Sequence, residues 1–249
     1  MKSMFKSAIS IVSLLIGCSI AYSRPVNSAL GANERNTFEQ NVNPLPPGLT
    51  AVEYIASTGR QGIDTKLRPP TSDCIVRMSF QLTSTSGDKS LIGTGGGGDR
   101  MYFGINSAKW FYGCVDYAYG KSADLLRHEC IAVWHPNDGY VLLDGTEIVR
   151  INKPAFNPYY KTMGLFTRNL GDFYSYSIAG RIYWCTIETR DGVVRDFIPV
   201  RFTNEQGVSE GAMFDRANPT VGVNPDGSVR DDGLYRNRGT GAFVIGPDL

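Results

Sequence analysis

The stretch Trp110-Phe111-Tyr112-Gly113-Cys114-Val115-Asp116-Tyr117-Ala118-Tyr119 sets aromatic rings beside a carboxylate. Sugars bind proteins by stacking their C–H faces on rings and by hydrogen bonding their hydroxyls to Asp, Asn and backbone groups, so this composition suits a glycan platform. Trp110, Tyr112, Cys114 and Asp116 share one parity, which on a strand means one face. Tyr117 and Tyr119 are expected in the following turn. A second cluster, Asp172-Phe173-Tyr174-Ser175-Tyr176, follows Arg168-Asn169. The candidate ligand contacts are therefore Trp110, Tyr112, Asp116, Tyr117, Tyr119, Arg168, Asn169, Asp172 and Tyr174. The competing reading is that these rings are core or cross-strand pairs.

Chemistry of other kinds finds less to stand on. Glycoside hydrolysis with retention needs two carboxyls about 5–5.5 Å apart. Glu188 and Asp191 run into Gly192 at a hairpin tip, Glu205 and Glu210 share a loop, Glu129 is alone on its strand, and turn residues separate Glu53 from Asp64. There is no G-x-S-x-G elbow. A thiol–imidazole pair of Cys114 with His128 or His135 is conceivable, but both histidines sit at expected strand ends and read as structural. Two histidines leave little for a multi-histidine metal centre. Asn224, Asp226, Asp231 and Asp232 lack the spacing of a calcium loop. No catalytic residue, metal or cofactor is assigned. Gly93-Thr94-Gly95-Gly96-Gly97-Gly98 is not followed by Lys-Ser or Lys-Thr, so it reads as an inter-strand loop rather than a phosphate cradle.

The elements that position these residues read as strands. Cys74, Val76, Met78, Phe80 and Leu82 alternate with a mostly polar set, a period of two. Residues 128–134 and 140–143 flank Pro136-Asn137-Asp138-Gly139, Asp144-Gly145 gives the next reversal into 146–151, and Asp191-Gly192 joins 181–189 to 193–200. No stretch after the first 23 residues sustains a helical period. Evenly spaced strands without helices imply an all-β sandwich or barrel. The 249 residues, with 28 Gly, 13 Pro and 28 aromatics, fit one large β domain or two small ones. With 25 Lys+Arg against 24 Asp+Glu, the formal charge is +1, which makes no electrostatic case for nucleic acid or an anionic membrane surface.

The amino terminus predicts export. Lys2 and Lys6 precede an uncharged apolar run over residues 7–20, too short for a permanent membrane span. Ala21-Tyr22-Ser23 offers a cleavage site with a mature start at Arg24, so residues 1–23 form a signal peptide. Leu15-Ile16-Gly17-Cys18 offers the alternative of a lipobox, with residues 1–17 removed and Cys18 lipidated; membrane contact would then be through that anchor alone. Residues 24–44, rich in Asn, Ser, Pro and Gly, read as a flexible linker to a domain over 45–249.

Leu45 to Thr65, LPPGLTAVEYIASTGRQGIDT, resembles the opening of a bacterial domain family with a concanavalin A-like lectin/glucanase fold, LamG-like in type. Gly164-Leu165-Phe166-Thr167-Arg168-Asn169 resembles that family's LFARN strand. Residues 180–183 and 193–201 resemble its closing hairpin, and Gly239-Thr240-Gly241-Ala242-Phe243 with Gly246-Pro247 its final segment. The ordered matches span about 45–249. Gly62 stands where the family has an aromatic, and residues 217–232 are longer than its pattern.

The resemblance implies a two-sheet antiparallel jelly roll, common in secreted and surface proteins. Laminarinase-like members carry an E-x-D-x-x-E strand, which this chain lacks. Cys74, Cys114, Cys130 and Cys185 permit three pairings. Cys114 and Cys130 lie on consecutive expected strands, and the jelly roll implies that distant strands could bring Cys74 to Cys185. Each bridge would contribute about 2–4 kcal/mol. The alternative is free buried thiols, since Cys74 shares an apolar face. The expected function is an exported, non-catalytic, lectin-like domain recognising a glycan or a surface protein. A structural or protein-binding module is the first alternative, and a divergent glycoside hydrolase the second.

Overall fold

The computed structural model of the chain describes residues 45–69, 74–96, 99–114, 116–123, 129–136, 138–152, 161–171, 174–218 and 234–249. The expected leader, the lipidation candidate Cys18 and the linker lie outside these residues, as do His128, Asp172 and the acidic stretch 224–232. The described residues form strands and turns with no helix. In chain order the strands are β1 (Leu49–Ala51), β2 (Ile55–Thr58), β3 (Ile63–Asp64), β4 (Ile75–Leu82), β5 (Asp88–Gly96), β6 (Asp99–Asn106), β7 (Lys109–Cys114), β8 (Asp116–Ser122), β9 (Cys130–His135) and β10 (Tyr140–Leu143). They continue with β11 (Thr146–Arg150), β12 (Gly164–Leu165), β13 (Arg168–Asn169), β14 (Tyr174–Ser175), β15 (Ala179–Thr189), β16 (Gly192–Thr203), β17 (Ser209–Asp215), β18 (Leu234–Tyr235) and β19 (Val244–Ile245).

These strands build the expected all-β sandwich of two antiparallel sheets. The larger runs β11-β10-β9-β4-β15-β16-β17-β18, with β1, β2 and β19 joined alongside. The smaller runs β14-β13-β5-β6-β7-β8, with β12 paired to β5 and β3 paired to β12. The inward positions of the two sheets meet in one core. From the larger sheet come Cys74, Val76, Met78, Phe80 and Leu82, the period-two set on and just before β4, each at most 3% exposed. Phe80 meets Trp110 of the smaller sheet edge to face at 6.1 Å, and Trp134 of β9 meets Tyr112 at 5.7 Å. Each fully buried large apolar side chain stabilises by about 1.5–3 kcal/mol. A second, smaller cluster of Val200, Phe202, Ala212, Phe214 and Leu234 lies on the opposite face of β16 and β17, with Leu45 and Leu49 packed on it.

Turn chemistry explains the β10–β11 hairpin. Asp144 and Gly145 have φ of 47° and 77°, the paired positive values of a two-residue turn that follows the strand twist. The β15–β16 turn is shifted by one residue from the expected position: Thr189 pairs with Gly192, leaving Arg190-Asp191 as the loop. Gly93–Gly96, expected as a loop, is instead the end of β5, paired to Asp99–Tyr102. Glycine suits this strand because Tyr102 crowds it; a Cβ on Gly93 would lie 2.1 Å from the Tyr102 Cβ.

The segment from Leu45 to Thr65 is tied to the far end of the chain by β2–β19 pairing and by the Gln61 side chain. Gln61 Oε1 accepts from the Thr58 N–H at 2.8 Å, and its Nε2 donates to the carbonyls of Thr240 and Ala242, both at 3.1 Å. Two motifs widely separated in sequence are therefore one structural unit. Gly62 carries no aromatic because there is no room: a Cβ there would sit 2.4 Å from the Thr167 methyl.

The disulfide expectation is corrected. Cys74, Cys130 and Cys185 are free and buried. Cys185 pairs with Met78, and Glu188 with Ile75, so Cys74 falls beyond the register position it would need. Four residues of strand is about 13 Å, while a bridge requires Cα atoms within about 7 Å. Cys114 and Cys130 lie in different sheets, paired to Met101 and Phe80. Burial pushes the Cys74 and Cys130 thiols up to about 12 and Cys185 higher still, which leaves them inert.

Candidate functional site

On β7 the even positions face the core. Trp110 is 2% exposed and stacks on Phe103 at 5.3 Å, while Tyr112 is fully buried and donates its hydroxyl to the Pro136 carbonyl at 2.6 Å. Both are corrected from ligand contacts to core residues. Parity groups side chains on a face; burial decides which face turns inward, and the face carrying Trp110 went in. Asp116 begins β8 after the chain reverses, with its backbone opposite Cys114.

The odd positions build a different surface. Phe111, Tyr117 and Tyr119 project from the outer face of the smaller sheet, and Tyr102 projects beside them from β6. Tyr117 and Tyr119 lie on strand β8, not in a turn, and are 58% and 52% exposed. Phe111 sits beneath them, stacked on Tyr117 at 5.9 Å and edge-on to Tyr119 at 4.9 Å. Tyr102 continues the row, stacked on Phe111 at 5.1 Å. Glycines level the face between these rings. Gly93 and Gly113 pair with Tyr102 on either side, and a Cβ on Gly113 would lie 2.4 Å from the Tyr102 ring.

Arg168 closes the row. It is 3% exposed, and its guanidinium carbon lies 3.5 Å from the Tyr102 ring centroid and 4.0 Å from that of Tyr176. Its Nε donates to Ser90 Oγ at 3.1 Å and its Nη2 to Asp88 at 3.3 Å. A delocalised, weakly hydrated cation suits this slot between two rings. Burial pushes the Tyr102 phenol up to about 12, against the opposing pull of the Arg168 charge. Tyr176 is 39% exposed and adopts φ of 59°, a left-handed conformation rare for a bulky residue. Such strain costs about 1–3 kcal/mol and collects at functional sites. Arg100 lies over the other flank, 5.3 Å from the Tyr117 ring centroid.

Of the remaining candidates, Asn169 is buried and engaged locally, donating to Thr162 Oγ1 and accepting from the Gly171 N–H, both at 2.8 Å. It shapes the loop after β13 and is corrected from a ligand contact. Tyr174 donates its hydroxyl to Asp64 at 3.0 Å; burial and then that carboxylate push its phenol to about 12. Some carboxylates elsewhere are held by cations: Asp196 by Arg216 at 3.0 Å, Asp215 by Arg195 at 3.6 Å and Glu188 by Arg77 at 3.0 Å. Among the described residues no cluster of three or more His, Cys, Asp or Glu could hold a metal ion.

No family model matches the chain, and no curated protein matches it. The site therefore rests on its own geometry. The residues that sequence reasoning missed are Tyr102, Phe111, Tyr176, Arg100 and Asp88. The signal for the first two was present: on β6 and β7, glycine alternates with an aromatic at the outward positions, as Tyr102, Gly104, Phe111 and Gly113.

Proposed function

We propose that the outer face of the smaller sheet is a glycan-binding platform. The observation that carries this reading is the pair Tyr117 and Tyr119, each more than half exposed on a paired strand and supported from below by Phe111. Rings held this way present flat apolar faces and phenol hydroxyls at little further loss of conformational freedom on binding. Arg100 sets a positive charge beside the Tyr117 ring. The three exposed tyrosines of this face, each burying 150–250 Å² when covered, amount to roughly 200–400 Å² of open ring surface, against about 800 Å² per partner in a stable protein interface. A narrow ligand fits better than a protein surface.

The sequence resemblance to concanavalin A-like domains, the jelly-roll topology it implies and the basic-then-apolar amino terminus support the same reading: a lectin-like domain displayed outside the cytoplasm. A glycan array probed with the purified domain tests it. Binding that is lost in Tyr117→Ala/Tyr119→Ala, with the far-ultraviolet spectrum unchanged, supports the platform. An array with no binding, or binding that the double variant leaves intact, rejects it.

A further inference from the structure

We infer that the site binds an internal stretch of an extended glycan, laid across the strands, rather than a terminal sugar; this rests on the glycan reading above. The face has two exposed ends and a closed middle. At one end stand Tyr117 and Tyr119; at the other stands Tyr176, over Arg168. Between them Phe111, Tyr102 and Arg168 are each at most 3% exposed. They form an unbroken chain of ring and guanidinium contacts from Tyr119 to Tyr176.

The strand order gives the span. Tyr119 is on β8 and Arg168 on β13, with β7, β6 and β5 between them. Four inter-strand steps make the separation of the two ends roughly 15–20 Å. A single sugar ring touches one end only. A chain of several linked rings touches both.

The middle is built to be crossed. Gly93 and Gly113 carry no side chain, and the Tyr102 ring lies over the Gly113 position. Among the described residues of this row, the side chains between the two ends are packed flat against one another. Tyr176 is held in its strained backbone conformation by the Ser90 N–H, which donates to its carbonyl at 2.7 Å. That conformation fixes the second ring at the far end, where a one-ended site would have no use for it.

The test measures affinity against chain length. Size ladders from mono- to hexasaccharide of β-glucan, xylan, mannan and uronic-acid chains are printed on an array, and the ladder that binds is titrated by calorimetry. Affinity is expected to climb with length and then level off once both ends are reached. Tyr176→Asn keeps the left-handed backbone, which Asn tolerates, and removes the ring. It is expected to weaken the hexasaccharide about three- to tenfold, bringing its affinity down toward that of the disaccharide.

Equal affinity for disaccharide and hexasaccharide would overturn the span. So would a Tyr176→Asn variant that binds the hexasaccharide as well as the parent. In each of those cases a glycan still binds and the platform stands. No binding by any ladder overturns both.

Discussion

Replacing Arg168 by lysine probes the site at its most constrained point. Lysine keeps one positive charge but loses the planar fork. The guanidinium faces Tyr102 at 3.5 Å and Tyr176 at 4.0 Å, and its Nε donates to the buried Ser90 hydroxyl. Each stacked face contributes about 0.5–2 kcal/mol in a desolvated setting. The buried hydrogen bond adds about 0.5–1.5 kcal/mol. The Asp88 side chain is 33% exposed, so its ion pair is screened and adds little that lysine would not keep. The expected loss is therefore about 2–4 kcal/mol of unfolding free energy. Urea denaturation followed by Trp fluorescence reads it as a lower midpoint at an unchanged slope. A double-mutant cycle with Tyr176→Asn should show coupling of about 0.5–2 kcal/mol, because the two groups touch. A loss below about 0.5 kcal/mol with no coupling would refute the stacked arrangement.

Three further outcomes are expected. Trp110→Ala should destabilise the domain by about 3–5 kcal/mol in the same urea assay, as removal of a core ring does, whereas Tyr117→Ala should stay within about 1 kcal/mol. Gly113→Ala drives a methyl into the Tyr102 ring and should cost about 1–3 kcal/mol, with much of that recovered in Gly113→Ala/Tyr102→Leu; no recovery would place the clash elsewhere. Burial lowers the His135 pKa below 6.5 despite the opposing Asp138 carboxylate, with Arg77, Glu188 and the stacked Tyr140 also facing it. The unfolded chain then binds the proton more readily, so this contribution is whole above about pH 6.5 and is lost as pH falls below it. Midpoints measured from pH 8 to 5 should show that decline, and His135→Phe should flatten it.

The fold was legible where turns announce themselves. Asp144-Gly145 and the Gly192 end of the β15–β16 turn carry residues that accept positive φ, and the strands around them alternate cleanly. The β6–β7 turn was not legible: Ser107 and Ala108 take φ of 50° and 60° without a glycine or asparagine to signal it. Missing that hairpin left the outward positions of β6 and β7 unassigned. Gly93–Gly98 reads from sequence as an inter-strand loop, yet Gly93 belongs to β5 and makes room for Tyr102, a contact invisible in a linear chain. Trp110 and Tyr112 share one face, as their parity implies, and that face turns into the core. Arg168 was singled out from its neighbours, but its slot between Tyr102 and Tyr176 joins strands far apart in sequence.

The most direct measurement is chemical-shift mapping of the isotopically labelled domain as the best array ligand is added. Amide shifts should concentrate at Phe111, Tyr117 and Tyr119, reach Tyr102, and leave β9, β10 and β15 of the larger sheet unmoved. Shifts gathered on the larger sheet, with Tyr117 and Tyr119 silent, would contradict the platform.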